Sequence, residues 1–269
     1  IILSVGIITP LITLMSYSDD FRTMGTIFGE VQSILYAPEM ERPVDGTVPK
    51  ENTLKLQDVH FSYKEKEVLH GISMEIPEGS FIALVGPSGS GKSTLLKLCA
   101  HLISPTSGNI TFNGRDFSDI SPTDLRRNIT YCFQTPYLFG KTVMENIEFP
   151  YTIRNIKIEL TRINSLFAMF HMSEDYLQRD VQNLSGGERQ RIALIRSLIF
   201  KPKVLLLDEI TSALDPDNTL IVEKVIKSLS QEGITILWVT HDPDRIEKYA
   251  NKILTIDSGK IRSFEEVLK

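Results

Sequence analysis

The chain has 269 residues, 42% hydrophobic and 23% charged, enough for one large α/β domain with additions. A formal net charge of −5 and the lack of any lysine- or arginine-rich tract give no support to a nucleic-acid partner. Cys99 and Cys132 stand far apart in apolar stretches and read as buried free thiols, and His60, His70, His101 and His171 show no metal-ligand spacing.

Ile1 to Ser18 carries no charge, contains Pro10 and begins without Met. It is slightly shorter than the ~20 apolar residues of a spanning helix, as the end of a trimmed membrane helix would be, and proline is tolerated there. No charged n-region or cleavage site marks a secretory signal. Phe21, Met24, Phe28, Val31 and Leu35 then mark a helix with one apolar stripe. Pro38, Pro43, Gly46 and Pro49 make a linker. The expected organisation is a membrane-helix end with a cytosolic helical extension over 1–37, a linker over 38–52 and a nucleotide-binding domain over 53–269. An amphipathic helix packed on a soluble domain is the alternative for the N-terminal part.

Residues 54–85 alternate short strands and turns, which predicts an antiparallel β region. Phe81 to Val85 is an unbroken apolar run, as in a buried parallel strand. It leads into Gly86-Pro87-Ser88-Gly89-Ser90-Gly91-Lys92-Ser93-Thr94, followed by a helix from Lys92 to Ala100 with Leu95, Leu96 and Leu98 inward. Strand, glycine-rich turn and helix are the context of a phosphate-binding P-loop. The loop N–H groups and the helix N-terminus attract the phosphates. Lys92 is expected at the β- and γ-phosphates and the Ser93 hydroxyl on Mg²⁺.

Ile110 to Gly114 ends in an Asn-Gly hairpin turn. A strand over Ile129 to Phe133 precedes Gln134, and helical patterns over Val143–Ile147 and Ile158–Phe170 make a helical subdomain of about 135–200. Leu184-Ser185-Gly186-Gly187-Glu188 presents a second helix N-terminus suited to an anion. Val204 to Leu207 is a buried strand ending at Asp208, expected to hold Mg²⁺ through water, and Glu209 follows as a base for the attacking water. Strands at 234–239 and 252–256, with a helix at 217–230 between the first of these and 204–207, complete a mostly parallel sheet. Read alone, Tyr63 is a strand aromatic, Gln134 a strand-ending polar residue, and His241 a residue at the start of the next helix.

Leu184-Ser185-Gly186-Gly187-Glu188-Arg189-Gln190-Arg191 resembles the signature motif of ATP-binding cassette (ABC) ATPases, and the other motifs fall in that family's order over about residues 53 to 262. The resemblance implies that Tyr63 stacks on adenine, that Gln134 is the Q-loop glutamine, which touches Mg²⁺, and that Asp215 belongs to the D-loop. It also makes His241 the switch histidine at the γ-phosphate. Ser185, Gly186 and Gly187 would close over ATP held by a second cassette, in a head-to-tail homo- or heterodimer.

The expected protein is therefore an α/β P-loop NTPase with an antiparallel β subdomain, a helical subdomain and an N-terminal helix. It would use ATP and Mg²⁺ to power transport, attached to a membrane domain in a longer chain or a separate subunit, with the ATPase on the cytoplasmic side of the cell membrane. Asp180-Val181-Gln182-Asn183 departs from the Gly-Glu-x-Gly segment usual in exporter cassettes. The Tyr131 to Gly140 stretch looks more like stand-alone cassettes of iron or metal efflux, so both arrangements stay open. Two rivals remain. A DNA-repair type would separate the P-loop from the signature by coiled-coil arms, yet only 91 positions separate Thr94 from Ser185. A cassette without turnover is disfavoured by the presence of Gln134, Glu209 and His241.

Overall fold

A computed structural model describes residues 53–240 and 248–267. The expectations for 1–52 and for His241 lie outside the described residues. The chain divides into two units, Ile1–Arg42 and Pro43–Lys269, and every described residue belongs to the second. Among the described residues, no helix is long and apolar enough to cross a membrane.

Two sheets organise the domain. One has four strands in the order β2-β1-β4-β5: β1 (Leu54–Tyr63), β2 (Lys66–Ile76), β4 (Ser107–Phe112) and β5 (Arg115–Asp116), paired antiparallel. The other has six strands in the order β10-β9-β3-β8-β7-β6. These are β3 (Phe81–Val85), β6 (Ile129–Cys132), β7 (Val204–Asp208), β8 (Thr235–Val239), β9 (Lys252–Asp257) and β10 (Lys260–Glu266). All its pairings are parallel except β10 on β9. The antiparallel region expected over 54–85 thus ends before β3, whose residues are buried on both faces and pair only with parallel neighbours. β10 was not anticipated from the sequence. Its exposed, charged alternation of Lys260, Arg262, Glu265 and Glu266 suits an edge strand. Asn113 and Gly114 both have positive φ, 54° and 74°, and join β4 to β5 in the tight turn that their sequence specifies.

Alternation along the parallel strands divides the interior into two cores. Phe81, Ala83, Leu205, Leu207, Ile236 and Trp238 face one cluster. Ile82, Leu84, Val204, Leu206, Leu237 and Val239 face the other. The second cluster is closed by α1 (Lys92–Cys99) and the four-stranded sheet, with Leu95, Leu96 and Leu98 all fully buried. The first is closed by α3 (Val143–Ile153), α4 (Leu160–Met169), α5 (Gly186–Leu198) and α6 (Pro216–Gln231). A short helix α2 (Pro122–Asn128), capped by Ser121, leads into β6. Burial of both faces explains the unbroken apolar runs read in the sequence. It also leaves the C-terminal strand ends as the place where polar side chains gather.

Candidate functional site

The loop after β3 is shaped by backbone demands. Gly86 has φ 144°, and a Cβ there would lie 1.9 Å from the Ile256 carbonyl oxygen. Gly91, the N-cap of α1, has φ 104° and would place a Cβ 2.6 Å from Leu69. No side chain caps α1, and its first turn holds no acidic residue, so its N-terminal N–H groups and partial positive charge stay directed at the loop. The Lys92 ammonium lies beneath the loop and donates to the carbonyls of Gly86 (3.0 Å) and Pro87 (2.9 Å). The Ser90 hydroxyl is buried without a partner. A cavity of about 260 Å³ opens above, lined by Val68, Ser88, Gly89, the Gly91–Thr94 turn and Glu209.

Three strand ends converge beside this loop. Asp208 closes β7 and is 7% exposed. Its Oδ1 accepts from the Ser93 hydroxyl at 2.8 Å and its Oδ2 from the Tyr131 hydroxyl at 2.5 Å. Burial, reinforced by that bond, pushes the Tyr131 phenol well above its ordinary range, so the hydroxyl remains the donor. Glu209 comes next, in the left-handed region at φ 49°, sparsely populated for a residue with a side chain. This bend swings it out of the strand and into the lining of the cavity. Gln134, beyond β6, donates from Nε2 to Glu209 Oε2 at 2.7 Å and to the Ser212 hydroxyl at 3.4 Å.

The residues present fit a phosphate–magnesium group. Backbone donors surround the loop, a buried lysine supplies charge, and the Ser93 hydroxyl and Asp208 carboxylate offer the hard oxygen ligands that Mg²⁺ takes. Of the residues singled out in the sequence, the Gly86–Thr94 loop, Asp208, Glu209 and Gln134 come together. Tyr63 does not line the cavity: it sits at the end of β1, 47% exposed, with its ring edge-on to Phe61 at 4.7 Å.

Ser185, Gly186 and Gly187 do not line it either. They form the start of α5, where Ser185 is the N-cap in a full capping box with Glu188. The Ser185 N–H donates to Glu188 Oε2 at 2.7 Å, and the Glu188 N–H to the Ser185 hydroxyl at 3.3 Å. Tyr176 donates to Glu188 Oε1 at 2.6 Å, and the Arg179 guanidinium lies 3.7 Å above the Tyr176 ring. The Tyr176 bond is the main reason the Glu188 carboxyl is held below its ordinary value. A Cβ on Gly186 would meet nothing within 4 Å, whereas one on Gly187 would lie 2.8 Å from Asn218 Nδ2. Asp215 caps α6, accepting from the Asn218 N–H at 2.9 Å, and the two Asn218 bonds hold its carboxyl low.

The Asp180–Asn183 stretch that departs from exporter cassettes anchors the start of α3. Asp180 bridges to Thr142, and the N–H groups of Val143 and Val181 donate to Arg179 and Lys141. Sequence reasoning assigned no site role to Tyr131 or Tyr176. No sequence signal near Tyr131 marks it, because its meeting with Asp208 depends on the register of β6 against β7.

Residues 69–212 match the family described as ABC transporter. The chain is 46% identical over 204 residues to the probable iron export ATP-binding protein FetA of Escherichia coli, covering 76% of this chain and 90% of that protein. It is 37% identical over 219 residues to the methionine import ATP-binding protein MetN of Mannheimia succiniciproducens, of which it spans only 62%. Among solved structures, a dimeric ATP-binding cassette in a post-hydrolysis state with ADP and phosphate superimposes with TM-score 0.73 at 29% identity, over 80% of this chain and 99% of that one. A bacterial Atm1-family ABC exporter with ATP bound gives TM-score 0.74 at 26% identity, over 91% of this chain but 44% of the exporter.

Proposed function

We propose, for a chain that belongs to the ABC transporter family, that it is the ATP-hydrolysing subunit driving a solute across a membrane. The observation that carries the reading is the meeting of Ser93, Asp208, Glu209 and Gln134 at the rim of the P-loop cavity. In this reading the loop N–H groups and Lys92 bind the β- and γ-phosphates, and Lys92 exchanges its carbonyl partners for phosphate oxygens. Ser93, Asp208 and Gln134 hold Mg²⁺, which neutralises phosphate charge when bound. Glu209 accepts a proton from the water that attacks the γ-phosphorus, while Gln134 orients the carboxylate through the bond it already makes. His241 contacts the γ-phosphate and Tyr63 stacks on adenine, both by resemblance.

The second half of the site comes from another copy. Ser185, Gly186 and Gly187 lie away from their own cavity, and Gly186 has open space where a side chain would be. This supports a head-to-tail dimer in which the start of α5 closes over the partner's ATP, with Asp215 at the same seam. Binding would hold the halves together and hydrolysis release them, moving a membrane domain from the cytoplasmic side. Mixing Lys92→Ala with Ser185→Arg protein tests this: one composite site carries both defects and the other neither, so hydrolysis absent from each variant should return in the mixture. No recovery with mixed dimers demonstrated would overturn the homodimer.

A second reading concerns cargo and arrangement. The 46% identity across 90% of the iron-export relative favours metal efflux with a separate membrane subunit over a membrane domain on the same chain. ATP-dependent iron release from inverted vesicles holding both subunits would support it, and release unaffected by Glu209→Gln would exclude it.

A further inference from the structure

We infer that Tyr131 is a positioning residue for the metal-binding carboxylate, fixing Asp208 so that its Oδ1 is presented to Ser93 and the ion. The inference rests on the proposed Mg-ATP site. Parallel pairing places Tyr131 opposite Leu206. The period of two along β7 puts Asp208 on the same face as Leu206, toward the core closed by α1. Tyr131 therefore approaches Asp208 from the neighbouring strand, and Ser93 approaches it from the first turn of α1. The two hydroxyls take one carboxylate oxygen each, Oδ2 at 2.5 Å and Oδ1 at 2.8 Å.

A carboxylate with a single donor can rotate about its last bond, exchanging the oxygen offered to the ion. With Oδ2 held by a phenol on a paired strand, that rotation breaks a partly buried hydrogen bond. The Tyr131 ring is itself held, edge-on to Phe133 at 4.7 Å. Groups that orient metal ligands in this way act on metal affinity, and their loss costs about 10–100-fold. The role differs from that of Gln134, which contacts Glu209 instead.

Tyr131→Phe keeps the ring and its packing and removes only the donor. The probe is a fluorescent, non-hydrolysable ATP analogue, whose dissociation constant is measured in EDTA and at saturating Mg²⁺. The ratio of the two constants isolates the ion's contribution, and the EDTA value reports that the loop is folded. In Tyr131→Phe the EDTA constant should stay within about 2-fold of the parent's while the ratio falls roughly 10-fold. An unchanged ratio overturns the inference. So does parallel weakening of both constants, because that is the behaviour of a residue that only packs. If the parent itself shows no binding in either condition, the Mg-ATP reading fails, and that result is distinct from a failure of Tyr131.

Discussion

Gly86 and Gly186 open two turns in one chain under different constraints. At Gly86 the fold itself forbids a side chain: φ is 144° and the Ile256 carbonyl occupies the space of a Cβ. At Gly186, in the first turn of α5, the backbone is helical and the space is open. The first glycine is explained by packing inside the chain. The second is unexplained there, and the proposed dimer, in which another copy approaches this turn, would supply its reason. Glycine in a motif thus has two diagnoses, and the free volume around its absent Cβ separates them.

The sharpest way to break this contrast is at the chemistry that the proposed dimer has both turns serve. Glu209→Gln should lower steady-state ATP hydrolysis by about 10²–10⁴-fold, the usual worth of a general base, while nucleotide binding by equilibrium titration persists. Hydrolysis near the parent rate would remove Glu209 from the role. The glycine pair comes next. Gly86→Ala should cost about 3 kcal/mol or more in denaturant unfolding, since backbone must move to admit the methyl group. Gly186→Ala should leave stability unchanged or slightly raised, alanine being the better helix former by up to about 1 kcal/mol. It should still lose hydrolysis on the order of 10²-fold, through misplacement at the partner's phosphate. If Gly186→Ala instead destabilises the monomer, the distinction between the two turns collapses.

A smaller effect probes what holds the α5 turn in shape. Tyr176→Phe removes one charge-assisted bond to Glu188 and should cost about 1.5 kcal/mol or somewhat more, seen as a lowered midpoint in urea with an unchanged slope. The smallest effect is in acid. Glu188 titrates below its ordinary value of 4.5, so its contribution is complete above that pH and is lost as pH falls through the lowered value. The stability difference between the parent and Glu188→Gln should therefore be flat from neutrality to about pH 4.5 and shrink below it, as read from unfolding curves across that range.

Much of this was legible because it is local. The runs Phe81–Val85 and Val204–Leu207 are apolar at every position, since both faces of each strand are covered, and their first polar successors mark the strand ends where the proposed site lies. The helix start at Ser185 was likewise read from the residues beside it, although its capping box with Glu188 emerged only in the structure. The features that stayed hidden depend on register between segments far apart in sequence. Tyr131 and Asp208 meet only because β6 and β7 pair with Tyr131 beside Leu206, and nothing near either residue encodes that offset. β10 escaped because an exposed edge strand, held on one side and charged on the other, lacks the hydrophobic run that announces a central strand. Tyr63 was read through its motif, and the structure leaves it half exposed at a hairpin, outside the cavity lining.

The left-handed backbone at Glu209 sets this chain against any search for a sturdier version of itself. A residue with a side chain pays about 1–2 kcal/mol for that conformation and glycine does not, so Glu209→Gly relieves strain at a position where the proposed mechanism needs a carboxylate. On the role proposed for Glu209, a library of variants sorted by heat resistance or expression alone would enrich that substitution and hand back well-behaved proteins that hold ATP without consuming it. Selection for robustness and selection for turnover pull in opposite directions at this residue, and only a screen that counts released phosphate would keep the glutamate.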